Sequence, residues 1–145
     1  MNAQTIDTGN TLSSYREQSR SGDPMSEAMR MMKIGLAQVN PHIGDVVENA
    51  RQIVDAYREA VREGARIVVA PESAIIGYPA MDVLLRREVI EAQMLAVEDI
   101  ATHVGQVPLI ISIVVPNDGQ GKPFYNIAYK IQNGVMEEVA RKTNL

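Results

Sequence analysis

From Lys33 onward, short apolar runs alternate with longer segments in which the apolar residues are spaced as in a helix. The short runs have the length of β-strands and are rich in Val and Ile, which favour strands. We predict strands over 33–39, 65–70, 109–115, 125–132 and 135–142. The last two flank Asn133-Gly134, a dipeptide that strongly favours a tight hairpin turn.

Two segments are predicted to be helices. The first begins after Asp45, a favourable N-cap residue with Glu48 three positions later, and ends at Gly64. The second covers 82–103, with Gly105 as its stop signal. A strand–helix–strand order favours parallel strand pairing, so the pattern predicts an α/β fold.

Residues 1–30 differ from the rest because they are polar and rich in Ser, Thr, Asn and Gly. Such a segment buries too little apolar surface to offset the entropy cost of ordering, so we predict a disordered leader. Translation beginning at Met31 or Met32 is an alternative to a start at Met1. Residues 31–145 are expected to form part of one folded domain.

Composition places the chain with globular proteins, since 46% of its 145 residues are apolar and 22% are charged. A net charge of −4 gives no general attraction to nucleic acid or anionic lipid. The longest apolar run is too short to cross a bilayer, and the first residues lack a signal-peptide pattern. These features predict a cytoplasmic protein that binds neither nucleic acid nor membranes.

The 145 residues contain no cysteine, which excludes disulfides, thiolate metal sites and a cysteine nucleophile among them. His42 and His103 have no suitably spaced partner, so we expect no metal site. The glycine-containing segment 117–123 lacks the spacing of a phosphate-binding loop and is interpreted as a solvated turn.

Glu72 follows a predicted strand and Pro71, with apolar residues on both sides. In α/β sheets, ligands gather beyond the carboxyl ends of strands, and a partly desolvated carboxylate in that position suits a general base. The alternative is a loop carboxylate that caps the next helix or pairs with an arginine. The pattern alone leaves both interpretations open.

Lys142 ends the last predicted strand, beside Arg141. In one interpretation it is a fixed cation that stabilises a developing oxyanion, and in the other it is an ordinary solvated lysine. Strand alternation places Lys142 on the same face as Ala140 and opposite to Arg141. The two basic side chains therefore lie on opposite faces and need not share a role.

Three segments resemble the carbon–nitrogen hydrolase (nitrilase) superfamily and, within it, the N-terminal glutaminase domain of glutamine-dependent NAD synthetases. The first is KIGLAQVNPHIGDVVENARQIV, an opening strand, loop and helix. The second is VVAPESAIIGYPAMDVLLR, and the third is FYNIAYKIQNGVMEEVARKTNL, a hairpin that delivers a lysine. The resemblance covers residues 32–145, and the segments occur in the family's order.

The resemblance implies roles for three residues. Family members use a Glu-Lys-Cys triad, in which Glu72 matches the general base and Lys142 matches the lysine that stabilises the tetrahedral intermediate. Tyr78 matches a tyrosine near the glutamine pocket. The nucleophilic cysteine has no counterpart in these residues, so the chain alone is expected to be inactive.

The resemblance also implies a partial αββα (nitrilase-like) sandwich, with about five strands and two helices present. Full-length relatives release ammonia from glutamine and use it in a second domain, which amidates deamido-NAD with ATP and Mg²⁺. That domain has no counterpart in this chain, so we expect no cofactor in it. Without the second sheet, Val68, Ile111 and Ile113 are expected on an exposed apolar face that makes the chain a homo-oligomer or an aggregate.

Two other interpretations stay open. In the first, the chain is a truncated member of another nitrilase-type amidase family. In the second, it is a non-catalytic binding or dimerisation module.

Overall fold

The computed structural model describes residues 4–6 and 32–142. Within these residues, one six-stranded sheet is packed against two α-helices. The strands are β1 (Gln4–Ile6), β2 (Ile34–Leu36), β3 (Ile67–Val69), β4 (Leu109–Pro116), β5 (Phe124–Gln132) and β6 (Val135–Lys142). The helices are α1 (Val46–Arg62) and α2 (Arg87–His103), and a 3₁₀ helix (Met81–Leu85) precedes α2.

The strands lie side by side in the order in which they occur in the sequence. β2, β3 and β4 are parallel, because α1 and α2 carry the chain back along the sheet between them. β5 and β6 extend the sheet as antiparallel strands. The predicted α/β class and the hairpin at Asn133-Gly134 are confirmed. Both turn residues have positive φ, 51° and 76°, as a type I′ turn requires.

The predicted limits of α1 are also confirmed. Oδ1 of Asp45 accepts a hydrogen bond from the backbone N–H of Glu48 at 3.3 Å, which satisfies one of the free donors at the helix start. Gly64 follows the helix with φ of +85°, a conformation that glycine adopts without strain. No helix in the described part of the chain is long and apolar enough to span a bilayer.

The predicted single helix over 82–103 is wrong at its N-terminal end. α2 begins only at Arg87, because Arg86 is extended, with φ −89° and ψ 109°. Leu85 lies within the predicted helix as an apolar residue, but it is 76% exposed. Leu84 packs in a small cluster separate from the main core, so the segment before α2 follows its own packing.

One face of the sheet packs against both helices and forms the main core. Val68, Ile111 and Ile113 lie on this helix-covered face, each at most 1% exposed. We expected these residues on the uncovered face, and that expectation is wrong. Side chains alternate along a strand, so an error of one position assigns every residue to the opposite face. Their neighbours Ile110 and Ser112 are the ones on the uncovered side.

The opposite side of the sheet is called the open face below, because neither helix covers it. Its side chains are half-buried in β4 and β5 and exposed in β6. The residues of the open face that matter for the site are Ile110, Ser112, Asn126, Ala128, Ala140 and Lys142.

Only Gln4–Ile6 of the predicted leader is described by the structure. These residues form β1, which pairs antiparallel with β2 at the edge of the sheet, so the expectation of disorder does not hold for them. The rest of 1–30 lies outside the described residues, and its disorder stays a prediction.

Candidate active site

Glu72 lies in the turn that follows β3, at the carboxyl end of the parallel strands. The turn runs from Glu72 to Ile76. Ser73 takes a φ of +56°, and its backbone N–H donates to Oγ of Ser112 on β4 at 3.0 Å. This hydrogen bond fastens the turn to the open face of the neighbouring strand, so the backbone that carries Glu72 has a fixed position.

A buried asparagine of α1 fastens the same turn from the helix side. Nδ2 of the fully buried Asn49 donates to the backbone oxygens of His42 at 2.7 Å and Ile75 at 2.9 Å. Its Oδ1 accepts from the backbone N–H of His42 at 2.8 Å. Asn49 thereby joins the loop after β2 to the turn after β3.

Gly77 allows these two loops to approach closely. A Cβ at this position would lie 2.8 Å from Cα of Ile43, closer than side-chain atoms pack against backbone. Its φ of +92° is also one that only glycine adopts readily. A larger residue would therefore push the Glu72 turn away from the loop after β2.

Lys142 reaches the same end of the sheet from the last strand. It lies directly opposite Asn126 of β5 in the strand register. Residues opposite each other in antiparallel strands point to one face, so both belong to the open face. Arg141 lies on the other face, over the ring of Tyr125 at 4.8 Å. The predicted separation of the two basic side chains is confirmed.

A β-bulge is responsible for this placement. Tyr129 pairs with Glu138 but Ala128 pairs with Ala140, so Val139 is an extra residue without a partner. In an uninterrupted hairpin the register from the turn would put Lys142 opposite Tyr125, on the helix-covered face. The extra residue turns Lys142 toward the open face.

Glu72, Lys142 and Asn126 meet at one carboxylate oxygen. Nζ of Lys142 is 3.5 Å from Oε1 of Glu72, and Nδ2 of Asn126 donates to the same oxygen. In the described part of the chain, Oε2 of Glu72 receives no hydrogen bond. Among the described residues, the structure thus joins two positions that are 70 apart in the sequence, and only one oxygen of the carboxylate accepts hydrogen bonds.

The cluster stands at the rim of a cavity of about 270 Å³ on the open face. Ile110, Ala128 and Ala140 form much of its apolar lining. The side chains of Glu72 and Lys142 are 51% and 49% exposed. The described residues therefore do not provide the partly desolvated setting that the sequence predicted for Glu72.

Other candidates from the sequence lie away from this cavity. Tyr78 is 72% exposed and does not line it. His42 belongs to the loop after β2. His103 is the last residue of α2, and its Nδ1 lies 3.3 Å from a guanidinium nitrogen of Arg58 in α1. No group of three potential metal ligands occurs in the described segments. The expectation that the chain has no metal site stays a prediction.

Sequence reasoning missed Asn126, Ser112 and Asn49. Asn126 and Ser112 lie within strands, where a polar residue on an uncovered face is ordinary. The hairpin turn was a signal for Asn126, because the register from the turn places this residue within one position of Lys142. The β-bulge that aligns the two residues is not visible in the sequence pattern. Asn49 interrupts the apolar stripe of α1 at a buried position, and that interruption was a signal for a structural hydrogen bond.

The fold and the match to a family model identify the class of protein. The family model for carbon-nitrogen hydrolases matches residues 33–145, and the chain belongs to this family. The expected nitrilase-like α/β fold with two helices is confirmed, and β1 brings the described sheet to six strands.

Within the family, the chain is similar to glutamine-dependent NAD synthetases. It is 33% identical over 117 residues to the enzyme of Acinetobacter baylyi, a match that covers 81% of this chain and 21% of that protein. The structure of the Acinetobacter baumannii enzyme in complex with ADP gives a TM-score of 0.69 at 30% identity, over 79% of this chain and 21% of the other. The region is homologous to the glutaminase domain of these proteins.

An amidase from Nesterenkonia sp. shares the fold at 23% identity, with a TM-score of 0.58 over 76% of this chain and 41% of the amidase. The chain spans about a fifth of the length of the NAD synthetases that it matches, since the shared region is 21% of the Acinetobacter baylyi protein.

Proposed function

We propose that this chain is the part of a glutaminase domain that supplies the general base, Glu72, and the oxyanion-stabilising lysine, Lys142. The observation that carries the proposal is the 3.5 Å approach of Nζ of Lys142 to Oε1 of Glu72 at the mouth of a cavity. Three independent elements produce this approach: the turn after β3, the bulged strand β6 and the register of β5. Homology to glutamine-dependent NAD synthetases supports glutamine as the substrate.

In the proposed reaction, a cysteine from outside these 145 residues attacks the amide carbon of glutamine. Glu72 accepts the thiol proton and transfers it to the nitrogen that leaves as ammonia. Lys142 stabilises the negative charge on the carbonyl oxygen during the attack. Water then hydrolyses the thioester, with Glu72 as the base, and releases glutamate.

The complete protein is proposed to use the ammonia for amidation of deamido-NAD, as the names of its relatives suggest. ATP and Mg²⁺ would serve that second reaction in a synthetase domain, and none of the residues described above is assigned to them. A cytoplasmic location and the absence of nucleic-acid or membrane partners are part of the same proposal.

The isolated chain is the simplest test. It contains no cysteine, so the purified 145-residue protein should release no ammonia from glutamine above the level of a Glu72→Ala control. Ammonia release that disappears in the control would show that another group acts as the nucleophile, and would overturn the proposed division of roles.

Self-association of the isolated chain is also proposed, through the open face. The half-buried apolar side chains on this face and the exposed strand β6 offer surface to a second copy. Light scattering should show an oligomer or a polydisperse assembly. A monodisperse monomer with a sharp cooperative melt would contradict this and favour a self-sufficient binding module.

A further inference from the structure

We propose that Asn126 is a positioning residue, which holds the carboxylate of Glu72 by its Oε1 and leaves Oε2 as the oxygen that exchanges the proton. This inference rests on the proposed function of Glu72 as a general base. It concerns the orientation of the base, and Asn126 itself takes no part in bond making or breaking.

Asn126 is held more rigidly than Glu72. Asn126 lies in β5 and is itself paired with Val114 of β4 on one side and with Lys142 of β6 on the other. Glu72 projects from a turn, and its side chain is 51% exposed. A free glutamate side chain loses rotational entropy when it is held in one conformation. A partner on a firmly paired strand is suited to offset that cost.

The hydrogen bond from Asn126 to Glu72 is directional, whereas the ion pair with Lys142 is not. An amide N–H requires its acceptor to lie near the N–H axis, whereas an ammonium group is a rotating point charge that attracts a carboxylate from many directions. Nζ of Lys142 is 3.5 Å from Oε1 and the lysine side chain is 49% exposed, and an ion pair in such a setting contributes little. Asn126 is therefore the group that selects one orientation of the Glu72 carboxylate.

The amide of Asn126 is uncharged. Asn126 anchors the carboxylate without adding a second positive charge beside it. A neutral donor fixes the geometry and leaves Lys142 as the only cation within 4 Å of Glu72 among the described residues.

The order of the Glu72 side chain tests the proposal directly. We would measure C–H dipolar order parameters of the Glu72 methylene groups in the full chain, by solution NMR or, for an assembled sample, by magic-angle spinning. In the unmodified protein the order parameter should approach about 0.85, the value of rigid backbone. In Asn126→Ala and in the isosteric Asn126→Asp, which lacks the N–H donor, it should fall below about 0.6.

Two further variants separate positioning from general structural support. Lys142→Met should leave the Glu72 side chain ordered, because the lysine does not set its orientation. Asn117→Ala, in the loop between β4 and β5, should also leave it ordered and serves as the matched asparagine control. The backbone amide order of Glu72 reports whether each variant keeps its turn folded.

Loss of order in the Asn126 variants, with order retained in Lys142→Met, supports the proposal. It is overturned if Glu72 stays ordered without Asn126, if Lys142→Met disorders it equally, or if the unmodified side chain is already mobile. The measurement needs no substrate, so it is independent of whether Glu72 acts as a base in glutamine hydrolysis. The activity measurements decide that separate question.

Discussion

The two faces of the sheet use the same strands for opposite purposes. On the helix-covered face, Val68, Ile111 and Ile113 are almost completely buried and pack into one continuous core. On the open face, Glu72 and Lys142 remain about half exposed beside a shallow cavity. The first face gives the strands their positions, and the second uses those positions to bring distant polar groups together.

Within a single strand, the residues that stabilise the fold therefore alternate with the residues that belong to the site. Successive residues of β4 alternate between core and site, so Ile111 supports the fold and Ser112 holds the Glu72 turn. A substitution on the covered face should therefore cost stability, whereas one on the open face should cost function. Variants in the core, in the loops and on the open face test this separation.

Ile111→Ala should have the largest effect on stability. It removes a fully packed side chain between the sheet and the helices, and such a deletion typically costs about 2–5 kcal/mol. Ile110→Ala, one position away on the open face, should cost less than about 1.5 kcal/mol because its side chain is only partly buried. Urea unfolding of both variants at one protein concentration measures the difference. Equal losses would show that the open face is as tightly packed as the core.

Gly77→Ala should come next, because it disturbs the junction of the two loops. The new methyl group would meet the backbone of Ile43, and φ of +92° is strained for alanine. Together these effects should cost about 2–3 kcal/mol. Gly105→Ala is the matched control, since a Cβ there has no neighbour within 4 Å. If both glycines tolerate alanine equally, the close approach of the loops is not needed for the fold.

Tyr57→Phe should have a smaller effect at neutral pH and a distinct one at alkaline pH. The hydroxyl of Tyr57 donates to the backbone oxygen of Val107 at 2.7 Å and accepts from the N–H of Gly105 at 3.1 Å. Losing it should cost about 1–3 kcal/mol because two partly buried hydrogen bonds to the backbone are removed. Tyr78→Phe, at an exposed hydroxyl, is the control.

The alkaline effect follows from the ionisation of the same hydroxyl. Burial raises the pKa of Tyr57 above its ordinary value of 10.0, and the hydrogen bond from Gly105 opposes this in part. The unfolded chain therefore loses the proton first, so stability should fall as the pH rises above about 10 and until the folded pKa is passed. Tyr57→Phe should remove this contribution to the alkaline loss. An unchanged alkaline limb in the variant would contradict the assignment.

Local chemistry was sufficient to predict α1 and the last hairpin. Asp45, Gly64 and Asn133-Gly134 each act within one turn of the chain, so their effect does not depend on distant residues. The extended Arg86 and the strand β1 could not be predicted in this way. Both depend on packing or pairing with segments that are distant in sequence.

The candidate site was predicted in part. Glu72 follows a strand and Lys142 ends one, and resemblance connected the two. Asn126 was missed, and the assignment of faces failed, because both depend on register. The extra residue Val139 shifts the pairing of β5 and β6 by one position. The pattern of apolar residues does not predict such a bulge.

The open face is proposed to carry two of the three catalytic groups of a glutaminase. A chimera tests it most directly, with residues 33–142 of this chain replacing the homologous segment of the Acinetobacter baylyi synthetase. NAD formation would be measured with glutamine and, separately, with added ammonia, which bypasses the glutaminase reaction and confirms that the chimera is folded.

The account predicts that the chimera forms NAD from glutamine. Glu72→Ala and Lys142→Ala should each lower this rate at least about 100-fold, while the rate with ammonia is unchanged. A glutamine-dependent rate that survives Glu72→Ala would contradict the account.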